Sequence, residues 1–271
     1  MFKGIFKSVG AIVWFVAMQF IGTIGILIFK FCTDDTWVNG IINSIESSNY
    51  NEYFALFSEI LPPALILADL LIIIPMLLRM LKNKEQIVQK ISYTETTLIV
   101  TLAISLNAIV SFIISCLPAS EELSYYNDLI SNVTNMGFVP MLITTGFLAP
   151  VVEELLFRYL MINSLKENGI KKAIIISSLL FGITHLNLIQ STYAFLFGIV
   201  LGLLYVKDDS FNLAKPILFH IVVNTSSVLY EFAPQWLKYI FISIAIISVA
   251  VSVFFVLSKD KNKQLFKIEQ P

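Results

Sequence analysis

Two adjacent glutamates and an arginine lie in a run that is otherwise apolar enough to cross a membrane. They are Glu153, Glu154 and Arg158, within the run 138–162. An ionised side chain at the bilayer centre costs about 3 kcal/mol on insertion scales, so such groups usually face a protein interior and have a function. Residues four apart share a helix face, so Glu154 and Arg158 can pair while Glu153 faces something else. We therefore interpret the pair as structural and Glu153 as the candidate for chemistry.

The chain contains two histidines, and both occur in later apolar runs. His185 follows Phe181 by four residues, and Asn224 follows His220 by four, so each pair shares one helix face. A carboxylate in an apolar cavity suits a general base that acts on water, and histidine can orient that water or move its proton. Asn and His side chains can donate to the oxyanion of a tetrahedral intermediate. If the three helices converge, the residues predict amide hydrolysis without a nucleophilic serine or cysteine.

Three motifs, in this order and each in an apolar run, resemble the motif set of the CAAX-protease and bacteriocin-processing family (CPBP, also called Abi). They are Glu153-Glu154-x-x-x-Arg158, Phe181-x-x-x-His185 and His220-x-x-x-Asn224. Any one motif is a weak signal, but the three together are specific. Members of this family are intramembrane endopeptidases, including the proteases that trim prenylated CAAX proteins. The resemblance implies an all-α membrane fold and the hydrolysis of a peptide bond.

The resemblance also implies a role for each motif residue. The catalytic residues would be Glu153, His185, His220 and Asn224. Glu153 would activate water together with His185, while the other two would stabilise the oxyanion. Glu154 and Arg158 would support the site. The expected substrate is a membrane-embedded or lipid-associated peptide or protein.

The cofactor is an open choice in this family, which is often labelled metalloprotease although a metal-free glutamate mechanism is the competing view. The chain has no HExxH motif, the usual signature of a zinc protease. We therefore favour no cofactor. If zinc is present, its ligands would be Glu153, His185 and His220, since three protein ligands and a water make a catalytic zinc site.

Two other classes of function compete with a protease. A proton-coupled transporter would use Glu153, His185 and Asp69 as a relay, because intramembrane acids and histidines are common in transporters. Transporters often show paired internal repeats, and this sequence shows none. The third class is a non-catalytic bacteriocin-immunity or scaffold protein, against which the complete motif set argues. Asp69 receives no role in the protease hypothesis.

The composition supports a polytopic membrane protein. Of the 271 residues, 57% are hydrophobic and 14% charged, whereas soluble domains average about 25% charged residues. The mean hydropathy is +0.81. No basic cluster indicates a nucleic-acid partner, so we expect the lipid bilayer and the substrate as partners. The two cysteines, Cys32 and Cys116, are interpreted as unpaired thiols, because two cysteines form no disulfide framework.

The apolar runs predict an all-α protein with about eight transmembrane helices in a single domain, 1–271, whose motif core is about 138–232. The runs are 8–29, 62–81, 96–117, 138–162, 171–188, 191–206, 213–232 and 236–257. The first is too long for a signal-peptide core and is interpreted as a retained span. Between the first two runs, 37–45 and 50–61 are expected to form short helices at the interface.

Charge distribution predicts the orientation of these spans. With eight spans and the N-terminus inside, most of the 18 lysines and arginines fall on the inner side, whereas acidic residues crowd the outer loops. This bias is the one that the positive-inside rule expects, so both termini are predicted to be cytoplasmic. The Ile-, Lys- and Asn-rich usage is typical of AT-rich bacterial genomes, which predicts a bacterial cell membrane.

Overall fold

The computed structural model describes residues 2–83, 88–207 and 211–257, which are mostly helical and contain no strand. The first half holds α1 Phe2–Thr33, α2 Asp35–Glu46, α3 Tyr50–Ser58, α4 Leu61–Lys82, α5 Tyr93–Ser115 and α6 Glu121–Thr134. A continuous helical run follows: α7 Phe138–Met141, the π-helix π1 Leu142–Leu148, α8 Ala149–Glu153, the π-helix π2 Glu154–Ile162 and α9 Asn163–Leu165. After a 3₁₀ turn come α10 Ile170–Ile183, α11 Leu188–Val206, α12 Ala214–Phe232 and α13 Gln235–Leu257.

Six helical stretches within the described residues are long and apolar enough to cross a membrane. They are Val9–Thr33, Ala55–Lys82, Tyr93–Ser115, Phe138–Asn168, Leu188–Val206 and Gln235–Val253. Together with the composition, they make this chain an integral multi-pass membrane protein, and they confirm the all-α fold. The other two predicted spans fall on α10 and α12, so the total of eight stays a prediction.

The orientation of the chain also stays a prediction. Part of its support comes from lysines outside the described residues, at Lys84, Lys259, Lys261, Lys263 and Lys267. The two short helices expected in the first long loop are present as α2 and α3. Asp34 caps α2 by accepting from the Trp37 backbone N–H, and the Lys30 ammonium holds the pKa of this carboxyl well below its usual range.

The helix that carries Phe181 ends earlier than the sequence predicts. The apolar run suggests a helix to residue 188, but α10 ends at Ile183. Leu186 has a φ of 58°, which a helix cannot continue, and the Asn187 side chain caps α11 by accepting from the Gln190 N–H. His185 therefore lies in the turn between α10 and α11.

Small residues bring the central helices together. A Cβ at Gly198 of α11 would lie 2.9 Å from the Ser178 Cβ of α10, and one at Gly202 would lie 2.7 Å from Ile174. These two glycines therefore permit close approach of α10 and α11. Gly22 of α1 does the same against Ala68 of α4, where an added Cβ would come within 2.8 Å.

The run that carries the two glutamates has an irregular helical geometry. Pro150 lies in α8, which stands between π1 and π2. Proline removes a backbone donor, and π-helical turns inside α-helices are frequent at functional sites. The π1 segment packs against α12, and π2 packs against α1, α10 and α11. These contacts bring all three motifs to one region of the bundle.

Candidate active site

Glu154 is the fully buried centre of the site. Its Oε1 lies 2.8 Å from His220 Nδ1, and its Oε2 lies 3.1 Å from Arg158 Nε. The second contact has the distance of an ion pair but not the angle of a hydrogen bond. The predicted pairing of Glu154 with Arg158 is therefore present. The sequence did not predict that Glu154 also holds His220 and so joins π2 to α12.

Arg158 is also fully buried and is held from several sides. Its Nη2 donates to the Gly198 carbonyl at 3.3 Å, and its guanidinium carbon lies 4.6 Å from the centroid of the Phe181 ring. Its Nη1 has no hydrogen-bond partner among the described residues. A buried cation needs an opposite charge, and Glu154 provides it while the aromatic face adds a cation–π contact. This residue ties π2 to α10 and α11.

Glu153 faces a different environment from that of its neighbour. Its carboxylate is 22% exposed and lines a cavity of ≈ 200 Å³, and its Oε2 lies 3.5 Å from His220 Nε2. His220 is thus bracketed by two carboxylates, one at each ring nitrogen. The short contact to Glu154 favours the tautomer with the proton on Nδ1, which leaves Nε2 facing Glu153. At 3.5 Å the two atoms leave no room for a water between them, but a water in the cavity beside them can contact both.

His185 lies one aromatic ring away from this pair. Its Nδ1 is 2.8 Å from the Phe181 carbonyl, and its ring packs edge-on against Phe181 with centroids 5.0 Å apart. The other side of Phe181 contacts His220, with ring centroids 5.7 Å apart. No hydrogen bond in the described part of the chain joins His185 to Glu153. Phe181 separates the two histidines, a role that its place in the motif did not reveal.

Asn224 is fixed to the wall of the same cavity. Its amide donates to the Thr145 carbonyl at 2.8 Å, and Thr145 lines the cavity together with Glu153. Among the described residues, the second amide N–H of Asn224 has no acceptor and is free to bind a ligand oxygen. The sequence indicated neither this contact nor the other polar cavity residues, Thr144 and Gln19. It did flag Asp69, which also lines the cavity but had no assigned role.

The residues named as zinc ligands do not fit a metal site. Among the described residues, no three His, Cys, Asp or Glu side chains are grouped so that they could hold a metal ion. The His185 ring lies beyond Phe181, with its Nδ1 on a backbone carbonyl, while Glu153 and His220 face each other. The two cysteines are both unpaired and exposed, in agreement with their interpretation as free thiols.

The fold and the site together define a multi-pass membrane protein with a buried Glu–His–Arg cluster beside a cavity. Comparison with known families then gives a more specific result. Residues 135–226 match the family described as "Type II CAAX prenyl endopeptidase Rce1-like". This range contains all three motifs, so the resemblance to the CPBP family is confirmed over this part of the chain.

One curated protein supports the same assignment. Over 95 residues, the chain is 30% identical to "Putative membrane peptidase YdiL" of Bacillus subtilis (strain 168). The match covers 35% of this chain and 38% of that relative. No solved structure matches the chain significantly. The family similarity is therefore to a CAAX-type membrane protease, and it is concentrated in the region of the site.

Proposed function

We propose that this protein is an intramembrane endopeptidase that hydrolyses a peptide bond of a membrane-associated protein or peptide with water activated by Glu153. The observation that supports this most is the position of the Glu153 carboxylate, which lines a cavity and lies 3.5 Å from His220 Nε2. A general base needs access to water and a neighbouring group that can exchange a proton with it, and this geometry provides both. The Rce1-like match over 135–226 supports the same class of reaction.

In the first step of the proposed mechanism, Glu153 takes a proton from a water in the cavity while the water oxygen bonds to the peptide carbonyl carbon. The carbonyl π electrons move to the oxygen, which becomes an oxyanion. Asn224 donates to it through the amide N–H that Thr145 does not use. His220 is the second proposed donor, through Nε2, once the proton that Glu153 took from the water has passed to that nitrogen and made the ring an imidazolium. The Glu154 carboxylate at 2.8 Å stabilises that imidazolium.

In the second step, the oxyanion re-forms the carbonyl and the C–N bond breaks. The leaving nitrogen receives the proton that Glu153 took from the water, so one water is consumed and the base is restored. Glu154 and Arg158 hold His220 in position without contacting the substrate. The Nε2 of His185 has no hydrogen-bond partner among the described residues. In the proposed mechanism it hydrogen-bonds to the water or to the peptide on its side of Phe181. No step passes through a metal.

The substrate class follows from the membrane location. The outer surface of the bundle is apolar, and the proposed catalytic base, Glu153, lies inside it. Its substrates are therefore peptides in or on the bilayer. In a bacterial cell membrane, where we place the protein, bacteriocin-like or signalling peptides are a better fit than prenylated CAAX proteins. The competing hypothesis, proton-coupled transport, predicts solute flux instead of peptide cleavage.

The test is cleavage of a panel of membrane-associated peptides by purified protein in proteoliposomes, detected by mass spectrometry. Glu153→Gln and His220→Ala are compared with wild type, each with and without a zinc chelator. Glu59→Gln serves as the control, because it removes an exposed carboxylate that lies just before α4, pairs with Lys30 of α1 and does not line the cavity. Loss of a general base should lower the rate by about 10²–10⁴.

We expect both site variants to lose cleavage, the control to retain it and the chelator to have no effect. Full cleavage by Glu153→Gln would contradict the proposal. Sensitivity to the chelator would overturn its metal-free step. Flux of a solute without cleavage, abolished in Glu153→Gln, would favour the transporter.

A further inference from the structure

A second acidic side chain lies in the cavity beside the proposed base. Asp69 of α4 is only 5% exposed, and it lines the cavity that Glu153 lines from α8. Its Oδ1 accepts from Gln19 Nε2 of α1 at 3.4 Å, and its Oδ2 has no hydrogen-bond partner in the described part of the chain. Asp69 and Gln19 lie outside the range 135–226 that matches the family.

The packing of α1 on α4 fixes this acidic group. Gly22 lies directly against Ala68, so the two helices approach closely at the position of Asp69. One turn before Gly22, Gln19 reaches the carboxylate. Asp69 is therefore a positioned group at the cavity wall.

The Asp69 carboxylate has no cationic partner in the part of the chain that the structure describes. No lysine, arginine or histidine of the described residues lies within ion-pair distance of Asp69, whereas the buried carboxylate of Glu154 has Arg158 and His220 as partners. Burial of an isolated carboxylate is unfavourable, and a cation that enters the cavity would relieve that cost. Because two acids face one cavity, the chemistry of this cavity selects a positive group.

The remaining walls suit the stem of such a group. Besides the acids, Phe15, Leu65, Ala149 and Val152 line the cavity. Lysine and arginine bury their methylene stems on apolar surface and direct the charge to a polar site. A volume of ≈ 200 Å³ is enough for one long side chain, since a single water needs only about 10–15 Å³ by the same kind of measure.

We propose that Asp69 is a specificity-determining residue, which binds a lysine or arginine side chain of the substrate next to the scissile bond. The adjacency follows from Glu153, which faces the same cavity and would act on the neighbouring peptide group. Gln19 orients the Asp69 carboxylate, and the apolar walls hold the side-chain stem. This inference rests on the proposed peptidase function, whereas the binding of a cation by Asp69 does not.

The first test uses a peptide that the wild type cleaves, synthesised with lysine, norleucine or glutamate at each position near the cut. At one position, wild type should prefer lysine to norleucine in kcat/KM by at least about tenfold, and Asp69→Asn should lower that ratio by about tenfold. The Glu59→Gln control should keep the wild-type ratio. An equal ratio in wild type and Asp69→Asn would overturn the proposal.

The second test does not depend on catalysis. Thermal unfolding of the Glu153→Gln protein is measured with n-pentylammonium and with n-pentanol, which has a similar apolar chain without the charge. We expect the ammonium to raise Tm more than the alcohol does, and this difference to disappear when Asp69→Asn is added. A difference that persists without Asp69 would overturn the cation site. If the ammonium raises Tm through Asp69 but the wild type cleaves no peptide, the cation site stands and the peptidase function is rejected.

Discussion

At the scale of single residues, the two glutamates of the first motif have separate tasks although they are neighbours. Glu154 is fully buried between Arg158 and His220, whereas Glu153 is partly exposed to a cavity. Adjacent residues on a helix differ by about 100° in direction, which is why one side chain enters the core and the other reaches the cavity. The ion pair of Glu154 with Arg158 fixes the position of His220 relative to Glu153.

Breaking the Glu154–Arg158 ion pair should lower the stability of the folded protein. Glu154→Gln leaves Arg158 as an uncompensated buried cation, and loss of one partner of a buried pair costs about 3–5 kcal/mol. We expect a clear drop in Tm in detergent, measured by intrinsic fluorescence. A second variant that combines Glu154→Gln with Arg158→Met removes both charges and should recover part of the loss. Unchanged Tm in the single variant would show that the pair is not structural.

At the scale of helices, small residues decide how closely the site-bearing segments approach. Gly198 touches Ser178 of α10 and offers its carbonyl to Arg158. In a membrane, helix association depends on such close van der Waals packing, because lipid tails are as apolar as the side chains. The position of Arg158 is thus linked to the spacing between α10 and α11.

Gly198→Ala should therefore disturb both packing and the site. An added Cβ would meet the Ser178 Cβ at 2.9 Å and its Cα at 3.0 Å, and such overpacking costs about 1–3 kcal/mol. We expect a lower Tm and reduced cleavage. Gly10→Ala is the matched control, since a Cβ there has nothing within 4 Å and the helix propensity changes in the same way, so it should lower neither value. Equal behaviour of the two variants would contradict this account of the interface.

At the scale of the whole molecule, the polar site is enclosed by helices whose apolar residues face outward. Many large apolar side chains on α1, α4, α5 and α13 are exposed, as expected for surfaces in contact with lipid. On the predicted inner side, Glu95 at the start of α5 pairs with Lys207 after α11 and with Lys215 in α12. These ion pairs connect three segments at one end of the bundle.

The predicted orientation can be tested through the two native cysteines. Cys32 and Cys116 are free and exposed, and the charge distribution places both at the outer side. A membrane-impermeant maleimide should label both in intact cells. In a variant with both cysteines changed to serine, Glu167→Cys lies in an exposed inner loop and should react only after permeabilisation. The opposite pattern would invert the topology.

The sequence by itself determined the all-α membrane class of this protein and which apolar runs carry the polar motifs. Hydropathy and helical spacing are local properties, so they predicted the apolar helices and the Glu154–Arg158 pair. The three motifs likewise predicted the family similarity. The end of α10 was placed too late, because a cap at Asn187 and a positive φ at Leu186 interrupt an apolar run that hydropathy alone would continue.

Only the tertiary structure decided which side chains meet. Glu154 with His220, Phe181 between the two histidines, and Asp69 with Gln19 beside Glu153 are contacts between segments distant in sequence. Such contacts depend on the relative rotation and depth of several helices, which no local pattern encodes. For the same reason, the spacing of the second motif did not reveal that Phe181 lies between His185 and His220.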